Sequence, residues 1–412
     1  MLPSGPIQVR HVLSAGGVSR AKKVSERNAS GSSASNRLLR NAGLSSRFAV
    51  LVGTVQLILF LGHLFVYETW RYFSPLSGPA VSTFLRLAFL LLSISFVAAS
   101  LLAARYYNAG VRLFYTLASI WLGTFNFLFM AAILCWILYA GLSLSGGQVA
   151  RPVLLFGLFG GALLVSVYGF ANASWIRVAR ISVTLPGLPK SWRGRSAAFV
   201  SDTHLGHVRG YTFVSRIVAM VRQLRPDIVF IAGDLYDGTT VEPKHLAAPW
   251  MNVSPPLGKF FVTGNHEEFS HPSQYVEALE QCGIRALINE KAIVDDLQLV
   301  GVTYSTLTHP ERLQSVLCSA GLERNTATIL LAHAPHQLSV AEKMGVSLQL
   351  SGHTHKGQVF PFTWITSRIF GQYTYGLNRH GALAVYTSSG AGTWGPPMRV
   401  GSRPEIVLIR FE

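Results

Sequence analysis

Four long apolar stretches fill the first half of the chain, at residues 48–67, 87–104, 114–144 and 153–176, and none contains Asp, Glu, Lys or Arg. Each reaches the roughly 18 to 20 residues with which a helix crosses about 30 Å of hydrocarbon. Four uncharged runs of this length exceed what the buried helices of a water-soluble core need. The pattern therefore predicts an all-α membrane region of about four transmembrane helices. The third stretch is longer than one span requires but too short for two spans and a turn, so it counts once. Gln56, His63 and Asn126 are isolated uncharged polar residues inside these stretches, the kind that hydrogen-bond between helices.

Beyond residue 178 the period changes. Short apolar runs at 197–200, 228–232, 259–263, 298–302, 328–332 and 348–350 read as strands, several with the continuous apolar character of sheets covered on both faces. Segments 213–224 and 273–281 read as amphipathic helices between them, which gives an α/β class. A strand is also expected around Ile181, only a few residues after the fourth apolar stretch. Trp175, Arg177 and Arg180 at that junction suit the headgroup region, so the second half of the chain is expected to stay close to the bilayer. The expected organisation is a basic tail at 1–47, a multi-pass membrane region at 48–177 and a catalytic domain at 178–412.

Charge refines this picture. The 412 residues carry a formal net charge of +16, and only 13% are charged, as expected of a partly membrane-embedded chain. Residues 1–47 hold eight basic residues against one acidic, 48–177 six against one, and 178–412 twenty-one against seventeen. The excess sits in the tail and beside the apolar stretches, not clustered on a folded module, so no nucleic-acid partner is expected. The tail has ten serines and no apolar periodicity, and reads as disordered. Its Arg- and Ser-rich, acid-poor composition also describes a mitochondrial transit peptide. Basic residues flank the first stretch on its N-terminal side, the second-to-third loop (Arg105, Arg112) and the end of the fourth, which places both termini and the catalytic domain in the cytoplasm. Three cysteines, Cys135, Cys282 and Cys318, provide neither a disulfide framework nor a thiolate zinc site.

Five polar clusters follow the candidate strands: Asp202-Thr203-His204, Gly233-Asp234-Leu235-Tyr236-Asp237, Gly264-Asn265-His266-Glu267, His333, and Gly352-His353-Thr354-His355. In α/β sheets such residues converge at the carboxyl ends of strands. Carboxylate, imidazole and amide oxygen together suit divalent cations such as Mn, Fe or Zn. One Asp-x-His or one His after a strand is commonplace, whereas five clusters in this order are specific.

In that order they resemble the calcineurin-like metallophosphoesterase superfamily. The resemblance spans residues 181–411 and extends to membrane-attached bacterial phosphoesterases through the closing run from Gly376-Leu377-Asn378-Arg379 to Arg403-Pro404-Glu405-Ile406. It implies a β-sandwich flanked by helices, two divalent metal cations, and hydrolysis of phosphomonoesters or phosphodiesters, a membrane lipid being one candidate substrate. It further implies that Asp202, His204 and His355 hold one metal, that Asn265, His333 and His353 hold the other, and that Asp234 bridges them. A shared carboxylate keeps two cations about 3.5 to 4 Å apart, the spacing used for in-line displacement at phosphorus. His266 is then the general acid, a task suited to imidazole. Asp237 either orients it and favours its charged form or is an exposed turn carboxylate. Glu267 is expected behind the ligands. Lys356 departs from the family pattern, in which glycine follows the last histidine, and either binds a substrate phosphate or points into solvent. His336 is an outside candidate, while His207, His271 and His309 read as surface residues. The competing reading is a non-catalytic membrane scaffold on the same fold. Scaffolds tend to lose ligands or the acid histidine, and this chain retains both.

Overall fold

Apolar runs bounded by proline and asparagine set the helices of the first half. The structure, a computed structural model, describes residues 49–76, 78–147, 150–270 and 272–412, so the basic tail and His271 lie outside it. The chain divides into compact units Met1–Ile58 and Leu59–Glu412. The described part of the first is the start of helix α1, and the architecture below is that of the second.

Four helices are long and apolar enough to cross a membrane: α1 (Ala49–Phe73), α2 (Pro79–Ala103), α3 (Ala109–Leu144) and α4 (Arg151–Ser174). Proline opens α2 and α4, where its missing N–H costs nothing, and the Asn108 side chain caps α3 by accepting from Val111 N–H at 3.0 Å. His63 links α1 to α3, accepting from Trp121 Nε1 at 2.9 Å. Asn126, expected to bond to another helix, instead donates to the Phe360 carbonyl of the following domain at 2.9 Å.

That contact accounts for the length of the third stretch. The first half of α3 is packing surface for the domain: Gly123 lies against Pro396 and Met398. On α4, Gly169 lies against Met398 and Val400, and the buried Asn172 amide donates to the carbonyls of Arg399 and Ser402, both at 2.9 Å. At 1.5 Å per residue, the stretches from Asn126 to Leu144 and from Arg151 to Gly169 are each about 27 Å long, close to the hydrocarbon thickness. The surplus helix is what receives the domain.

The domain begins at once with strand β1 (Arg177–Val183), followed by β2 (Ser196–Val200), β3 (Ile228–Ala232), β4 (Lys259–Val262), β5 (Ile284–Ala286), β6 (Glu290–Val294), β7 (Leu297–Gly301), β8 (Thr328–Leu331), β9 (Leu348–Ser351), β10 (Gly376–His380), β11 (Leu383–Thr387) and β12 (Glu405–Phe411). They form two six-stranded sheets, ordered β1-β12-β2-β3-β4-β5 and β10-β11-β9-β8-β7-β6. Alternation along a strand assigns its faces. Ile228, Phe230 and Ala232 of β3 point into the core between the sheets, while Val229 and Ile231 point outward. The outward residues meet α5 (Tyr211–Leu224) through Val214, Ile217 and Val221. On the other sheet, Leu330 faces outward toward Leu313 and Leu317 of the helix Pro310–Ser319. The result is a β-sandwich covered by helices on both outer faces, in agreement with the expected class. β2, β3 and β4 run parallel, as do β8 and β9, so the polar clusters that follow them gather at one edge.

The joint between α4 and the domain is testable. In Asn172→Leu two buried carbonyls lose their donor, and at about 1 to 3 kcal/mol for each unsatisfied group the protein in detergent should unfold at a clearly lower temperature. An unchanged midpoint would show that the joint contributes nothing.

Candidate active site

Backbone conformation concentrates at this edge. Asp202, His204, Asp234, His353 and His355 all have positive φ, between 46° and 71°. For L-residues this left-handed region is disfavoured by roughly 1 to 2 kcal/mol each, and such outliers persist where surrounding structure enforces them. Glycine makes the enforcement possible: a side chain at Gly264 would collide with the Asp234 carboxylate, and one at Gly352 with that of Asp202. Both Asp202 oxygens accept the His353 N–H, at 2.9 and 3.1 Å. Asp234 Oδ1 accepts the His266 N–H at 3.0 Å. Glu267, fully buried, accepts from the N–H groups of Asp234 (2.9 Å), Gly264 (2.8 Å) and Tyr236 (3.0 Å). It therefore ties the loop after β3 to the loop after β4 from behind the candidate ligands.

The side chains converge in overlapping groups: Asp202, His204 and His355; His204, Asp234 and His266; Asp234, His333 and His353. His204 Nε2 lies 2.8 Å from His355 Nε2, which lies 3.6 Å from Asp202 Oδ1. Asp234 Oδ2 is 3.0 Å from His333 Nε2, 3.9 Å from His204 Nε2 and 4.0 Å from His266 Nε2. His353 Nδ1 is 3.1 Å from Asn265 Oδ1 and 3.2 Å from His333 Nε2. All seven residues expected to ligate metal are thus brought together, with Asp234 between the two sets.

Burial keeps His204 and His355 well below the ordinary imidazole value and, with the His333 charge, pushes His353 down to about 3. Neutral imidazole is the form that binds metal. Burial pushes the Asp202 carboxyl up to about 6. For His333 burial acts downward, but the Asp234 and Asp202 carboxylates prevail and raise it to about 10; Asp234 is correspondingly held below the usual carboxylate range. Buried neutral nitrogens turned toward one another and a carboxylate within reach of three imidazoles fit divalent cations, which would supply the positive charge the cluster lacks.

His266 stands at the opening, its Nδ1 donating to the Asp237 backbone carbonyl at 2.7 Å. The reading of Asp237 changes accordingly. Its carbonyl, not its carboxylate, orients His266, and the carboxylate is no exposed turn group: it is half-buried and accepts from the Thr239 N–H and hydroxyl. His207 was misread as a surface residue. It is buried, 3.0 Å from the Tyr106 carbonyl in the α2–α3 loop and 3.0 Å from Thr239 Oγ1. His309 is exposed, and His336 is half-buried against His353 and Phe370.

Three neighbours had no signal in the sequence. Arg399 is completely buried and donates to the carbonyls of His355, Gly390 and Gly392, with Nη2 3.2 Å from His355 Nδ1. Tyr304 packs on His333 and His353. Trp394, largely exposed, packs edge-on to His266. Each is an ordinary residue type made significant only by what the fold places beside it.

Residues 196–357 match the family described as Calcineurin-like phosphoesterase. The chain is 34% identical over 275 residues to the Danio rerio protein named "Transmembrane protein with metallophosphoesterase domain", covering 60% of each chain. It is 35% identical over 216 residues to an uncharacterized metallophosphoesterase of Helicobacter pylori, covering 52% of this chain and 58% of that one. It is also 32% identical over 259 residues to an uncharacterized metallophosphoesterase of Aquifex aeolicus, covering 61% of this chain and 97% of that one. The chain thus spans about three-fifths of the length of the first two relatives and nearly all of the third. With four apolar helices ahead of this domain and relatives named for the same combination, it is a membrane protein. The chain belongs to the calcineurin-like phosphoesterase family and joins that domain to four helices long and apolar enough to cross a membrane.

Proposed function

We propose that the protein is a membrane-anchored phosphoesterase that uses two divalent cations, Mn, Fe or Zn in character, to hydrolyse phosphomonoesters or phosphodiesters. The observation that carries this reading is the Asp234 carboxylate, set between a group of Asp202, His204 and His355 and a group of Asn265, His333 and His353. When bound, the cations would supply Lewis acidity toward the phosphoryl oxygens and the attacking water. The chain does the rest. Asn265 contributes a neutral oxygen and limits the negative charge an anionic substrate meets. Because Nδ1 of His266 is committed to the Asp237 carbonyl, the exchangeable proton is on Nε2, the nitrogen that faces Asp234 and delivers it to the leaving oxygen. Asp237 is a positioning residue, its carboxylate fixing the turn through Thr239.

The proposed domain division is a basic tail to residue 47, a four-span region to 177 and the catalytic domain from 178, with both termini cytoplasmic. Charge supports the orientation: Arg105 and Arg112 border the α2–α3 loop, on the side where that loop touches the domain through Tyr106 and His207. Exposed Trp394 beside His266 supports a substrate presented at the membrane surface.

Asp234→Asn should lower bound metal from about two ions to one or fewer per chain; full occupancy with full activity would contradict the shared carboxylate. His266→Ala should keep its metal while turnover falls by roughly 10² to 10⁴-fold, more for alkyl esters than for nitrophenyl esters, whereas equal loss on both would remove the protonation role. In cells with a permeabilised plasma membrane, protease should digest the C-terminal domain, and Asn252 of the sequon Asn252-Val253-Ser254 should carry no glycan. Protection or glycosylation would reverse the topology.

A further inference from the structure

Lys356 follows His355 directly, yet its side chain leaves the metal cluster. Its Nζ lies over the Tyr375 ring, 4.7 Å from the centroid. With Tyr168, Tyr375, Ser389, Ser402 and Arg403 it lines a cleft of about 400 Å³ to which none of the seven candidate ligands contributes. Tyr168 belongs to α4, so one wall of the cleft is a membrane helix and the other is the catalytic domain. Among the described residues neither Lys356 nor Arg403 takes part in an ion pair. Arg177, at the start of β1, is near enough for Arg403 to repel its charge. The acid close by is Glu405, buried and occupied by the hydroxyls of Tyr375, Tyr386 and Ser388 and by the Ser389 N–H. Two cations outside any ion pair, lining one open cleft, match a phosphate.

The position of the cleft says which kind of phosphate. Asn126 holds the Phe360 carbonyl at the level where the remaining length of α3 equals the hydrocarbon thickness. After Phe360 and Pro361 comes helix α6 (Phe362–Phe370), which has no buried residue and exposes Phe362, Trp364, Ile365 and Ile369. A second cleft, lined by Lys356, Thr363, Trp364 and Tyr375, joins α6 to the same lysine. Basic groups at headgroup depth beside a short helix with exposed aromatic and aliphatic side chains are the chemistry of an interfacial lipid contact.

We propose that the cleft between α4 and the catalytic domain binds the headgroup phosphate of an anionic phospholipid through Lys356 and Arg403, with its acyl chains passing along α6 into the bilayer. No bond breaks at this site. It is separate from the hydrolytic centre and stands whether or not the catalytic reading does. The lipid would hold the domain against the membrane and fix the orientation of the opening marked by His266 and Trp394.

The test is native mass spectrometry of the full chain released from micelles containing phosphatidylglycerol or phosphatidylcholine, with circular dichroism as the control for folding. Wild type should retain phosphatidylglycerol over phosphatidylcholine. Lys356→Ala/Arg403→Ala should retain it at least about tenfold less, as expected for two cations at the surface, while Lys356→Arg/Arg403→Lys should keep it. Asp234→Asn, which disturbs only the metal cluster, should retain it as wild type does. Equal retention by the alanine pair, binding of inorganic phosphate with no lipid retained, or loss of lipid in a folded Asp234→Asn protein would each overturn the proposal.

Discussion

One buried carboxylate organises the site. Asp234 sits in a left-handed conformation after β3, with its N–H held by Glu267 and one oxygen held by the His266 N–H. Its other oxygen faces the imidazoles of His333, His204 and His266. An anion buried this deeply is tolerated only when opposite charge is supplied. Of the imidazoles around it, burial keeps His204 neutral, while the carboxylates of Asp234 and Asp202 raise His333. The glycines leave room for the carboxylates, and the loops that end β2, β4, β8 and β9 bring the candidate ligands to this point.

The membrane region is built into that arrangement. Arg399 receives its backbone hydrogen bonds from α4, its N–H donating to the Gly169 carbonyl and its carbonyl accepting from Asn172, while its guanidinium supports the His355 carbonyl. On the other side, the end of α2 accepts from Thr240 through the carbonyls of Ala103 and Ala104. Thr240 directly follows Thr239, whose N–H and hydroxyl hold the Asp237 carboxylate, and the Asp237 carbonyl orients His266. Membrane helices thus bear on a loop that carries a candidate ligand and on the proposed acid, through packing and hydrogen bonds without any flexible tether.

Much of this was legible in the chain because the signals were local. Strands such as β3 announce themselves by continuous apolar runs, and the clusters of candidate ligands follow them at fixed offsets. Positions whose meaning depends on distant chain were not legible. His207 carries no motif and is buried only because the α2–α3 loop descends on it. Asp237 was read by its carboxylate, while the group facing His266 is its carbonyl, a property of the turn and not of the residue type. The excess length of the third apolar stretch had no explanation until the domain was seen to pack on α3. Edge strand β5, three residues long with a charged residue at its centre, is too short to show a period.

The central claim is that one cluster holds two cations on either side of Asp234. Electron paramagnetic resonance of the Mn-loaded protein tests it most directly, because ions sharing a carboxylate at about 3.5 to 4 Å couple magnetically and distant ions do not. The account requires an exchange-coupled pair signal at two ions per chain. A spectrum of isolated Mn ions at full loading would contradict it.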